Sequence, residues 1–137
     1  MQFRTIALVG AAVGVGFGAV GLIVPGFFAS LFGIELNPTA TALFRALCAS
    51  YVGMAALDWS ARNVTDAAAW RAIAVGNATG WALSGAVYAT ALASGLGNSI
   101  AWSIVALQVA MTLLWLSLVA RSGRVPVSDL AKASSGQ

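Results

Sequence analysis

The chain contains no histidine, one cysteine and very little charge: seven basic and four acidic residues in 137. Each shortage excludes something. Without histidine there is no Ser-His-Asp catalysis, no imidazole-based metal site and no ordinary axial haem ligand. A lone thiol, Cys48, can form neither an internal disulfide nor a CxxC redox pair. The sequence therefore offers no catalytic residues, no metal ligands and no cofactor motif, and reads as non-enzymatic. Charged residues make up 8% of the chain, against about 25% in soluble domains. A water-facing surface cannot be built from so few.

What is present is hydrophobic. Apolar residues supply 60% of the chain, gathered into four stretches at residues 5–32, 40–59, 72–93 and 99–120. A helix rises about 1.5 Å per residue, so about 20 apolar residues cross a hydrocarbon core of about 30 Å. The expected fold is all-α, a polytopic membrane protein with four transmembrane helices in an antiparallel bundle. Residues 1–121 form the transmembrane domain and 122–137 a polar cytoplasmic tail, in which Val125-Pro126-Val127-Ser128 could start a brief surface helix. The first apolar core, from residue 6 to 24, is longer than the 7–15 residues of a signal-peptide core and lacks an A-x-A site. It reads as a retained helix.

Local punctuation divides the chain further. Pro25-Gly26 should kink or stop the first helix. Asn37 is a good N-cap and Pro38 a good first helical residue. Thr65 or Asn63 can cap the third helix, with Asp66 suiting its positive first turn. The uncharged link from Ser94 to Asn98 is short enough to force a hairpin between the third and fourth helices.

Charge sets the expected orientation. With four spans, Arg4, Arg62, Arg71, Arg121, Arg124 and Lys132 fall on one side. The other side holds Glu35 and, inside a helix, Arg45. Basic loops stay cytoplasmic, so both termini are expected in the cytoplasm of a bacterial inner membrane. The basic residues then meet anionic lipid headgroups. Nothing combines a basic patch with exposed aromatics, so nucleic-acid binding is excluded.

Gly10, Gly14 and Gly18 repeat every four residues on the first helix, and Gly76 and Gly80 do so on the third. Small residues permit the close backbone approach by which helices associate in lipid. The stripe could serve packing within one chain or a homodimer.

Arg45 needs the most explanation. It lies about 10 Å along the second helix from Pro38, where an arginine either faces a partner or a wet cavity or snorkels to the headgroups. Glu35, Tyr88 and Gln108 lie at depths that could complete an outward-facing ligand pocket with it. Asn77 and Gln108 read in the first place as interhelical glue. Asp58 and Arg62, spaced i,i+4, are expected to pair at the inner surface. No Asp or Glu is then left at mid-membrane to carry protons, which weighs against autonomous transport.

Gly21-Leu22-Ile23-Val24-Pro25, then Leu31-Phe32-Gly33-Ile34, then Leu43-Phe44-Arg45-Ala46-Leu47 and Tyr51-Val52-Gly53-Met54 follow an order that resembles the DoxX-like small four-helix bacterial membrane proteins and neighbouring families of unknown function. The likeness covers about the first 60 residues, and the rest mainly by hydropathy. It implies the four-helix fold and makes Arg45 the family's arginine at the start of the second helix. The chain departs from the family where a glycine often follows that arginine, having Ala46, Leu47 and Cys48. Some relatives are linked with quinone-coupled redox systems. Two functions follow as expectations. One is an accessory or scaffold subunit of a larger membrane assembly or homo-oligomer. The other is a binding protein for a quinone, lipid or anionic solute at Arg45, or a small transporter.

Overall fold

The computed structural model describes residues 3–122. It is all-helical, 85% helix with no strand among the described residues. The expected tail, 122–137, and its surface helix lie essentially outside those residues.

Helix α1 (Phe3–Ile23) ends where Pro25 removes a backbone donor. Val24 leaves helical geometry at φ −128°, ψ 60°, and α2 (Pro25–Ser30) begins with proline at its first position. The ladder bridges the break, with the Val24 amide donating to Val20 and the Phe28 amide to Val24. The result is a kink. Helix α3 (Pro38–Ala61) starts as its sequence dictates, the Asn37 side chain accepting from the Ala40 amide at 2.8 Å. Helix α4 (Ala67–Ala93) is capped by Asp66, which accepts from the Ala69 amide at 2.7 Å. The expected caps Thr65 and Asn63 are thus displaced by a carboxylate placed directly before the first turn. A 3-10 turn (Ser99–Ala101) leads into α5 (Trp102–Ser122).

Three of the four long helices, α1, α3 and α5, are long and apolar enough to cross a membrane. Helix α4 has the length, 27 residues. Arg71, Asn77, Thr79, Ser84 and Thr90, with its many alanines and glycines, leave it less apolar.

Two helix pairs make the bundle: α1 packs along α3, and α4 along α5. The α1 glycines explain the first pair. A Cβ at Gly14 would lie 2.9 Å from the Ala55 Cβ and the Tyr51 carbonyl. One at Gly18 would lie 2.7 Å from Val52 and 2.8 Å from the Cys48 carbonyl, and one at Gly10 or Gly21 would overlap Asp58 or Cys48. Rising numbers on α1 meet falling numbers on α3, so the two helices run in opposite directions. On α4 the glycines do less. A Cβ at Gly76 would meet nothing within 4 Å, and one at Gly80 only the end of Met54. Gly85 makes the close approach there, against Gln108.

One half of the bundle is tightly filled. Ile6, Ala74, Ala78, Met111, Trp115 and Leu118 form a continuous buried core around Trp115, which is fully buried. The half nearer α2 is less completely closed.

Candidate functional site

Every long helix turns a seam of alternating three- and four-residue steps inward, the spacing that keeps one face against neighbours. On α3 the seam is Phe44, Cys48, Tyr51, Ala55 and Asp58. On α4 it is Asn77, Trp81, Ser84 and Tyr88, and on α5 Ile104, Gln108, Met111, Trp115 and Leu118. These side chains are buried or half-buried. Their polar members fall at two depths, and each depth has its own geometry.

Towards α2 lies an aromatic cleft between the two helix pairs. Phe17, Phe28, Phe44, Tyr51, Trp81 and Tyr88 line it, together with Cys48 and Gln108. Phe28 organises its rim, meeting Phe17 and Phe32 edge-to-face at 5.5 and 5.3 Å and Phe44 at 6.2 Å. Tyr51 lies 5.7 Å from Trp81, and its hydroxyl shares a 3.1 Å hydrogen bond with Ser84. The enclosed space is about 30 Å³, room for one or two waters. Two of its lining residues each carry a polar atom that is buried and, among the described residues, without a partner: Trp81 Nε1 and Gln108 Oε1. Leu47, Tyr51 and Trp81 also border a shallow groove of about 130 Å³ between α3 and α4.

The residues singled out in the sequence divide here. Tyr88 and Gln108 line the cleft. Arg45 and Glu35 are exposed and lie outside its walls. Arg45 is one residue from the seam, between Phe44 and the outer face of α3, and the helix turns it away. Among the described residues no charged side chain lines the cleft. Trp81 and Cys48 joined the site without having been singled out, although the 77–81–84–88 spacing marks the α4 face that carries Trp81.

Nearer the chain's amino end lies a second polar centre. Asp58 is 1% exposed and accepts a 2.9 Å hydrogen bond from Asn77 Nδ2. The same amide nitrogen also donates to the Ile73 carbonyl at 3.2 Å. The expected Asp58–Arg62 surface pair is therefore replaced. Arg62 instead donates to the Trp59 carbonyl and stacks its guanidinium 4.3 Å over the Trp59 ring. Asp58 is on the seam, whereas Arg62 lies past the last turn of α3, where the chain bends away. Asn77 does bridge helices, as glue would.

Among the described residues no group of His, Cys, Asp and Glu could hold a metal ion. In comparisons with known proteins, no family model, no curated protein and no solved structure matches the chain.

Proposed function

We propose that the chain is a four-span, antiparallel inner-membrane protein that holds a neutral, lipid-soluble molecule between its two helix pairs. The observation that carries this is the aromatic cleft, two of whose lining residues, Trp81 and Gln108, hold a buried polar atom (Nε1 and Oε1) without a partner among the described residues. A buried donor and acceptor left unpaired each cost about 1–3 kcal/mol, and a ligand carbonyl or hydroxyl would recover that. Apolar walls with a few fixed polar groups are the usual make-up of a small-molecule site. The absence of charge on those walls favours a quinone or neutral lipid over an anionic solute. Tyr88 lines the same cleft and offers a further hydroxyl, while Arg45 acts outside the cleft, at the headgroups. The present room takes only water, so binding parts the two pairs, and the groove between α3 and α4 gives a route from lipid. The likeness to DoxX-like proteins in the first 60 residues supports the same fold and orientation.

Native mass spectrometry after mild extraction from the source membrane tests this reading. Wild type should retain a bound small molecule that Gln108→Leu loses while still accumulating as folded protein. Equal retention by the two, or none in either, would refute it.

A second reading, an accessory subunit within a larger membrane assembly, has its own observation. Only 11% of the apolar window of α3 is buried, leaving Ala46, Ala49, Ser50 and Gly53 uncovered. Small residues of that kind admit a neighbouring helix closely. Stoichiometric partner chains in the same spectra would favour it.

A further inference from the structure

Asp58 is the one charged side chain buried among the described residues, and the cleft does not use it. All four long helices meet around it. A Cβ on Gly10 of α1 would overlap its Oδ2 and would stand 3.1 Å from Trp115 of α5, while Asn77 of α4 donates to its Oδ1. The glycine's missing side chain is thus the space the carboxyl group occupies.

Among the described residues the site has no counter-ion. Arg62 is engaged with Trp59, and Arg4 and Arg71 are exposed. The residues that α1, α4 and α5 are seen to bring there, Gly10, Asn77 and Trp115, carry no titratable group, and no other charged side chain is buried among the described residues. Its single side-chain donor is Asn77. A buried carboxylate is stable only when paired or fully hydrogen-bonded, and intramembrane carboxyl groups commonly mark proton or ion paths.

The geometry points to Asp58 as a reversible proton-binding site, with Asn77 as the positioning residue that serves both protonation states. Ionised, the carboxylate accepts from Asn77 Nδ2, as observed at 2.9 Å. Protonated, it gains an O–H donor, and the site already contains a buried acceptor without a partner, Asn77 Oδ1. A half-turn of the amide brings that oxygen to where the nitrogen stands. The proton adds to a carboxylate oxygen and leaves from it, so no other bond changes. A small cation would want more oxygen ligands than this pair offers. Asp58 is three residues from the end of α3, about 5 Å along its axis. The proton therefore exchanges at the end of the bundle that carries Arg62 and Arg71.

Infrared difference spectroscopy on the full chain in lipid vesicles tests this. Acidification should raise a carboxylic-acid carbonyl band that reverses on return to the starting pH and is absent from Asp58→Asn. In Asn77→Ala the band should persist but shift, because its hydrogen-bond partner is gone. A wild-type difference spectrum that superimposes on that of Asp58→Asn overturns the proposal. So does a band unmoved in Asn77→Ala, a measurement that stands even where Asp58→Asn fails to accumulate. Loss of the band on exchanging choline for sodium would make the site a sodium site instead.

Discussion

A single methyl group separates glycine from alanine, and the α1–α3 seam has no room for it at Gly14. The added carbon would sit 2.9 Å from both the Ala55 Cβ and the Tyr51 carbonyl, with backbone on the far side. Gly14→Ala should therefore push the pair apart and cost about 1–3 kcal/mol. Gly16→Ala, two residues away with nothing within 4 Å, should unfold like wild type. Thermal unfolding of the two variants in one detergent makes the comparison, and equal loss in both would contradict the packing described. Spacing made the Gly10–Gly14–Gly18 stripe readable but left its partner open, since a smooth face suits any neighbour. The expected Asp58–Arg62 pair fails for a related reason. The i,i+4 rule that links it to Arg62 describes an isolated helix surface. The seam from Phe44 through Cys48, Tyr51 and Ala55 reaches Asp58 and carries it inward, and that pattern was also present in the sequence. For Arg45, counting from Pro38 sets a depth along the helix but no direction around it, and direction decides whether a side chain reaches the cleft.

Two loops are joined at the α2 end of the bundle by one side chain. Asn98 donates from its backbone to the Phe32 carbonyl at 2.9 Å and from its side chain to the Leu31 carbonyl at 3.1 Å. Its Oδ1 meanwhile accepts from the Ile100 and Ala101 amides, capping the turn into α5. A Cβ on Gly97, whose φ is +81°, would lie 2.9 Å from the Phe32 carbonyl, a conformation and a clearance that both favour glycine. Asn98→Ala should remove the cap and the Leu31 tie, costing about 1–2 kcal/mol. It should also raise hydrogen exchange in residues 31–36 while leaving the Ile6–Trp115 core protected. Faster exchange in the core as well, or no change in the loop, would mean the tie is not local. Element boundaries were legible because they depend on nearby chemistry: Pro25 ends one helix and Asn37-Pro38 begins another. Neighbours were not legible. Lipid is as apolar as leucine, so hydropathy places a helix in the membrane without choosing which helix it lies against. The pairing of α1 with α3 and α4 with α5, and hence the cleft between the pairs, emerges only in three dimensions.

At the scale of the whole molecule the open quantity is the number of crossings, and α4 decides it. Three helices have the length and apolarity to span, and α4 has the length alone. Its polar residues are partly covered by packing: Asn77 is buried against Asp58, and Ser84 bonds Tyr51. Hydropathy counts these residues as though they faced lipid, and so undervalues a helix whose polar face is satisfied within the protein. The basic residues argue for the same crossing. If α4 spans, Arg4, Arg62 and Arg71 share a side with Arg121, Arg124 and Lys132, as the retention of basic loops in the cytoplasm requires. If it does not, the last three move to the opposite side. Single cysteines placed in a Cys48→Ala background separate the two cases. With four crossings, Leu96→Cys is labelled by a membrane-impermeant thiol reagent in intact cells, and Leu130→Cys only after permeabilisation. With three crossings and the same start the pattern inverts, residue 130 reacting from outside and residue 96 remaining protected. The first pattern is the one we expect, because a stranded α4 would leave the buried Asp58–Asn77 pair without the surrounding α4–α5 face that keeps water from it.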